Sequence, residues 1–491
     1  MSRYRLLLSL LAASSALSIP LTHDYEQSVL LTKQPASLPH PHPTHSFWTH
    51  SPGANPLAGE GSSGALTDDA DVCIIGAGIT GVSSAYHLAN AVREGTFPIS
   101  AGETKLRAVV LEARDFCSGA TGRNGGHLTP YEFAGFRNAE AQFGREDALR
   151  LYAIEDYTAT EMVRVARAGG WADAIDLIEG GHTDVFLSNA THMEALADLY
   201  AAMEAGKHVN ITWMSPDEMN ATYGTHNWGV RSPGYNVWPL KFVSQLFLQA
   251  NATPALDLRL HTRTPVTRVS PVSNVSSSRR WELWTPRGAV HCTHVVHATN
   301  GYASHLLPHL AGPAGIVPVR GQVLATRAAA PLAKTSWGGG DGYWFPRPVA
   351  HADNAPLVIL GGARATAGSP FEVGVTDDST VNSRVGSTLR AFLPALFPGL
   401  YEPGRAPEAE WTGIMGYTAL GIPFVGPLGP AHAGQYIAAG YTGHGMPRAF
   451  ACAEAVVGMI AAERTAGKWE APAWFPGVFL PAHKQEHRRQ M

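Results

Sequence analysis

The sequence predicts an α/β protein organised on a dinucleotide-type unit, and three observations carry that expectation. Residues 71–88, DVCIIGAGITGVSSAYHL, place a short apolar run before Gly76, Gly78 and Gly81 and an amphipathic segment after them, the strand-turn-helix order of a dinucleotide fingerprint. A second apolar run, 108–111, ends in Glu112. An acidic residue at that strand tip is placed to bond ribose hydroxyls, although the loop 93–104 lengthens the spacing beyond the usual ~20 residues. Residues 113–127, ARDFCSGATGRNGGH, form a second Gly-rich stretch able to set backbone amides and Arg123 around one anion.

Within the first motif each position has a task. Gly76 permits the tight turn, Gly78 lets the backbone approach a pyrophosphate, and Gly81 allows the helix to pack on its strand. The amides opening that helix, at Ile79 and Thr80, face the phosphate charge. A Gly-rich turn can also exist with no nucleotide bound to it. The second run ending in Glu112 and Ala113 and the second cradle at Thr121, Arg123, Asn124, Gly125 and Gly126 weigh against that reading, and together they suit a long ligand touched at several points.

Composition narrows the class. The 491 residues carry a net charge of -4 with 15% charged residues, so there is no basic surplus to suggest nucleic acid. Arg3 and Arg5 precede an apolar run at 6–17 and then Pro20. That run is short of the ~20 residues of a membrane span, so residues 1–17 read as a signal peptide and no stable membrane anchor is expected. Five sequons, at Asn189, Asn210, Asn220, Asn251 and Asn274, predict exposed glycosylation sites on a secreted or secretory-pathway protein.

Residues 18–69 are rich in Pro, His and Ser and read as a linker lying over the surface. His40, His42, His45 and His50 are interrupted by Pro39, Pro41 and Pro43, and no Cys or carboxylate cluster joins them, so no metal is expected. The four cysteines, Cys73, Cys117, Cys292 and Cys452, are too few for a disulfide scaffold. Cys73, in the first strand, and Cys452, in a late helix, are expected to be buried thiols.

Further along, apolar spacing predicts a helix over 146–168, stopped by Gly169 and Gly170. A strand is expected over 183–188, a helix with Thr191 and Glu194 as capping box, and a shorter helix opened by Ser215, Pro216 and Glu218. Residues 237–250 read as a helix and 294–298 as a strand delivering Thr299. Tyr343, Trp344 and Phe345 sit in a strand-like segment and fit either a cavity wall or ordinary core. Near the end, 440–448, GYTGHGMPR, puts Pro447 at the start of a helix.

The motifs at 71–88, 119–126 (GATGRNGG), 411–427 and 440–448 resemble the D-amino-acid oxidase (DAO) family of FAD-dependent oxidoreductases. The likeness is to its GRNGG-type branch, which includes gamma-glutamylputrescine oxidase-like and fungal proteins. The resemblance implies a Rossmann-type FAD-binding domain (70–130, 236–310 and 406–470) interleaved with an α+β substrate domain on a mainly antiparallel sheet (131–235 and 311–405), followed by a tail at 471–491. It implies FAD contacts at Gly76, Gly78, Ile79, Thr80, Gly81, Glu112, Ala113, Thr121, Arg123, Asn124, Gly125, Gly126, Val266, Thr299, Gly443, His444, Gly445 and Met446.

It also implies oxidation of a C–N bond of an amine or amino acid, with hydride passing to flavin and O2 as electron acceptor giving H2O2. The alternative is a flavin-dependent tailoring oxidoreductase or dehydrogenase acting on a small secondary metabolite. His127, Tyr343, Trp344, His444 and Arg320 are the catalytic candidates, with no general base singled out. Met415 stands where the sarcosine-oxidase branch carries its flavin-linking cysteine, so non-covalent FAD is expected. Pro447 replaces that branch's carboxylate-binding lysine, leaving Arg123, Arg320 or Arg448 to supply any cation.

Overall fold

The computed structural model describes residues 34–100, 102–273 and 279–484; the expected signal segment, Asn274 and the end of the tail fall outside them. The strand Asp69–Ile75 has six of its seven residues buried. It is central, pairing in parallel with Leu106–Leu111 on one side and Gly288–His297 on the other. Cover on both faces is what replaces period-two alternation by a continuous apolar run.

Across this sheet the order is Phe424–Pro427, Gln435–Ala439, Gly288–His297, Asp69–Ile75, Leu106–Leu111, Leu256–His261, with Trp281–Thr285 and Arg268–Pro271 extending from Gly288–His297. The helix Ile79–Arg93 packs between Met446–Arg464 and Pro239–Asn251 against it. The second sheet runs Ala409–Tyr417, Val317–Arg327, Leu357–Gly362, Gly342–Pro346, Ser336–Gly339, His182–Phe186, Trp228–Ser232, Thr212–Met214. All its pairings are antiparallel except that of Ser336–Gly339 with His182–Phe186. The class is therefore the predicted α/β architecture, a parallel Rossmann-type sheet with a mainly antiparallel partner.

The chain passes between the sheets repeatedly. It moves to the second at His182–Phe186, returns at Leu256–His261, leaves again at Val317–Arg327 and comes back at Phe424–Pro427. Ala409–Tyr417 pairs along its whole length with Val317–Arg327, so this strand belongs to the second sheet although the segment 406–470 was assigned to the first.

Side-chain capping accounts for four of the ten described α-helix starts, at Ser46, Ser188, Ser215 and Asn382. Ser215 and Glu218 form the expected capping box of Pro216–Tyr223. The preceding helix, Asn189–Glu204, is capped by Ser188 with Thr191 as its reciprocal partner, three residues before the cap expected at Thr191. The late helix is Met446–Arg464, placing Pro447 in its first turn.

Two expectations are corrected. Cys73 forms a disulfide with Cys292, on the neighbouring parallel strand, with Cα atoms 5.9 Å apart and 219 residues between them. Nothing local in the sequence marks such a pair. Cys117 and Cys452 are free and buried.

The second correction concerns the Pro-rich extension, which is docked as well as surface-lying. Trp48 is fully buried. Its Nε1 donates to Asn124 O at 2.6 Å and its carbonyl accepts from Trp238 Nε1 at 3.0 Å. Ser46 Oγ donates to Gly122 O, and Thr44 N to Asp378 O. The segment lacks a helix or strand period because each anchoring residue meets a different distant element. The sequon residues Asn189, Asn210, Asn220 and Asn251 are all exposed.

Candidate functional site

Between the two sheets lies a cavity of about 770 Å³. Its wall begins at Gly76, Gly78, Ile79 and Thr80, continues through Glu112, Ala113, Thr121, Arg123, Asn124 and Gly125, takes in Val266 and Thr299, and reaches Gly443, His444, Gly445 and Met446. Residues spread over 370 positions of sequence thus meet in one elongated space. Gly81 and Gly126 stand outside the wall and act beneath it. A Cβ on Gly81 would lie 1.9 Å from Gly76 O, and one on Gly126 2.8 Å from Val237 O, so both keep neighbouring backbone in place.

At the turn, Gly76 has φ +108, and an added Cβ would meet Ala298 O at 2.7 Å. Glu112 accepts from Ala77 N at 2.8 Å and from Arg114 N at 3.0 Å. Thr121 Oγ1 accepts from Ile79 N at 3.0 Å, tying the second Gly-rich loop to the first helix start. Thr299 Oγ1 is buried with no hydrogen-bond partner among the described residues.

Arg123 differs from its expected role. Its guanidinium donates to Thr44 O at 2.8 Å and lies 3.4 Å from Asp378, which Arg114 also grips at 2.9 and 3.0 Å. Burial lowers the Arg123 pKa to about 10, against the opposing pull of Asp378. Two guanidinium groups share one buried carboxylate, so this corner keeps one net positive charge while neither arginine is loose. Asp378 carries no sequence signal, being the second of two adjacent acids, Asp377 and Asp378, in a loop.

At the opposite end the helix Met446–Arg464 opens beside His444. The ring of His444 stacks on Tyr131, 3.9 Å between centroids, and its Nε2 lies 3.0 Å from Glu155 Oε2. Arg448 holds the other oxygen through Nε at 2.8 Å, and Tyr131 N donates to Oε2 at 2.8 Å. Burial pushes the Glu155 carboxyl up, but His444 and Arg448 outweigh it and hold it below the ordinary value. Burial lowers the His444 pKa despite Glu155. Glu155 lies in the helix Arg145–Ala168, where it reads as one more helical acid.

The second sheet closes the remaining side. Tyr343 lines the cavity and packs on Gly125 and Gly361, where added Cβ atoms would meet its ring at 2.4 Å. Trp344 points to the other face, in a core with Trp337, Phe392 and Phe397, and is thus removed from the catalytic candidates. Arg320 is removed too: it pairs with Glu372 and bonds Asp377 O and Thr380 Oγ1, away from the wall. Arg364, unmarked in the sequence, does line the cavity and lies 5.0 Å from the Tyr417 ring centroid.

His127 faces the cavity beside Tyr343, 5.5 Å between rings. Both its ring nitrogens are buried without a hydrogen bond of good geometry. Burial lowers its pKa to about 3, so it stands there as a neutral imidazole.

Comparison with known proteins agrees with this arrangement. A family model described as "FAD dependent oxidoreductase", DAO, matches residues 71–459. A probable oxidoreductase, OrdL, from Rhizobium meliloti is 24% identical over 412 residues, covering 81% of this chain and 83% of that protein. Gamma-glutamylputrescine oxidoreductase from Escherichia coli is 35% identical over 94 residues, 19% of either chain. The crystal structure of glycine oxidase from Geobacillus kaustophilus superposes with TM-score 0.62 at 19% identity, covering 84% of this chain and 98% of that one.

Proposed function

The chain belongs to the DAO family of FAD dependent oxidoreductases, and from that premise we propose that it oxidises a C–N bond of an amine or amino acid. The observation that carries the reading is the single cavity joining the dinucleotide turn, the second Gly-rich loop and the Met446–Arg464 helix start to the wall of the second sheet. FAD held by these residues would supply a hydride acceptor, with dioxygen as the proposed electron acceptor giving H2O2.

The residues present fit that cofactor. Gly76 and Gly78 keep the turn open to a ligand, where a Cβ would stand 2.7 Å from Ala298 O and 3.1 Å from Thr121 Oγ1 respectively, and Thr299 Oγ1, without a partner among the described residues, offers a buried polar contact. Glu112, Ala113 and Val266 complete one end of the holding set, and Gly443 to Met446 the other. The helix start favours negative charge near it. His127 and Tyr343 line the same cavity on the second-sheet side, where the substrate would lie.

We hold the FAD to be non-covalent. None of the free cysteines lines the cavity, and Met415, which does, offers a thioether. Acid precipitation is expected to release all the yellow colour into solution; colour retained in the pellet contradicts this. Within the family we place the chain in the GRNGG branch, on residues 119–126 and the 94-residue likeness. A secretory route is supported by the Cys73–Cys292 disulfide, which persists in oxidising compartments, and by the exposed sequons. A mobility shift of the native protein on enzymatic deglycosylation tests it.

The deciding experiment is anaerobic bleaching of the holoenzyme by primary amines, secondary amines and D- and L-amino acids. Bleaching by at least one is expected, with peroxide on admitting air. A flavin that no C–N substrate bleaches overturns the reading. Bleaching without peroxide turns it to a dehydrogenase or tailoring enzyme.

A further inference from the structure

The second-sheet wall of the cavity carries a carboxylate that the cofactor does not require. His182 and Asp184 lie on one face of the strand His182–Phe186, two residues apart, and both line the cavity. His182 is fixed from behind by Ser336 Oγ at 2.9 Å, and its Nε2 lies 3.1 Å from Asp184 Oδ1. The other oxygen, Oδ2, makes no hydrogen bond among the described residues. Across the ladder Asp184 faces Gly338, which in turn faces Tyr343. A Cβ at Gly338 would stand 2.3 Å from Asp184 Oδ1, so the bare position is what lets the carboxylate lie there.

Charge at this end of the cavity is uneven. Glu155 is matched by Arg448, and Asp341 feels the nearby Arg364. Asp184 has no Arg or Lys within ion-pair distance among the described residues; its partner is His182. The Asp184 side chain is 35% exposed, and a carboxylate on the cavity wall with no permanent cation beside it offers a charge-assisted hydrogen bond to a ligand that brings one. The neighbouring His127, 6.0 Å from His182 between ring centroids, adds two ring nitrogens that have no hydrogen bond of good geometry among the described residues. Asp184 and His182 also act electrostatically on Tyr131 and His444 respectively, which places the pair near the helix start that bounds the reactive end.

We propose that Asp184, oriented by His182 and given room by Gly338, is the anchor for a second cationic nitrogen, so that the substrate is an amine whose chain carries another ammonium group. This rests on the C–N oxidation reading and names its substrate class. The neutral His127 lies next to the anchor, where it can accept from an N–H of the same substrate.

The test compares α,ω-diamines of four and six carbons with butylamine and hexylamine, using the holoenzyme. Two readings are taken: the concentration dependence of anaerobic bleaching, and calorimetric binding of the same amines under anaerobic conditions. A diamine is expected to bind roughly ten- to a hundredfold more tightly than the monoamine of equal length, the effect of one charge-assisted hydrogen-bonded contact. Asp184→Asn is expected to bring that ratio toward one, and His182→Gln, which keeps a donor for Asp184, to leave part of it. Folding of each variant is checked by its FAD content. Equal binding of diamine and monoamine by the parent protein, or a ratio unchanged in Asp184→Asn, overturns the proposal. If no amine bleaches the flavin but calorimetry still shows the diamine preference, the oxidation reading falls and the cation site stands.

Discussion

Asp378 shows how much of a site rests on single residues that a sequence does not advertise. Gly76, Gly78 and Glu112 were legible because their chemistry constrains a contiguous motif. Asp378, Glu155 and Arg364 were not, since none belongs to a motif and each gains meaning only from partners far along the chain. Tyr343 and Trp344 illustrate the same limit on one strand: adjacent residues face opposite sides, and only the register decides which reaches the cavity. Asp378 itself is fully buried between Arg114 and Arg123. Removing its charge leaves two guanidinium groups in the interior with no counter-ion, so Asp378→Asn is expected to lose about 3–5 kcal/mol of stability. Urea unfolding of the holoenzyme measures it, and a loss below about 1 kcal/mol would show that the arginines find other compensation.

At the scale of elements, the sequence located the strands and helices that carry their own signals. Pro216–Tyr223 begins where its capping box stands, and Pro239–Asn251 lies within a few residues of the expected 237–250. The arm carries no such signal because its order comes from elsewhere: Trp48 packs among Phe47, Trp238 and Phe345, and its indole reaches the second Gly-rich loop at Asn124. Ser37, Leu38 and Pro39 even contribute to the cavity wall. The arm therefore braces the loop that carries Thr121 and Arg123. Trp48→Ala empties a fully buried indole site, with an expected cost of about 3–5 kcal/mol. Because the lost indole also frees Asn124 O, FAD should dissociate faster from this variant than from a core variant of similar stability loss on the far face, such as Phe397→Ala. Equal FAD release from the two, followed by flavin fluorescence, would show that the arm stabilises the fold without bracing the site.

At the scale of the whole molecule, the alternation between two sheets was accessible through the resemblance and not through local pattern. Pairings such as Cys73 with Cys292 or Val317–Arg327 with Ala409–Tyr417 join residues about a hundred to two hundred positions apart. Closing these sheets also buries ionisable groups wholesale, and that has a consequence for acid stability. His87 and His127 have their pKa values lowered to about 3, and His297 to about 4, in each case chiefly by burial. Folded, all three stay neutral; unfolded, each takes up a proton near its ordinary value of 6.5. The unfolded chain thus binds more protons, so stability present above about pH 6.5 is lost as pH falls toward 4. Each site contributes up to about 1.4 kcal/mol per pH unit, roughly 4 kcal/mol per unit for the three together. Urea unfolding free energies measured at pH 7, 6 and 5 should fall, more steeply from 6 to 5 than from 7 to 6 because the unfolded imidazoles are only partly protonated near 6.5, and His87→Gln, a helix-compatible replacement, should make the fall shallower. A free energy flat from pH 7 to 5 would mean that these imidazoles titrate in the folded protein, and that the packing between the sheets is open to water.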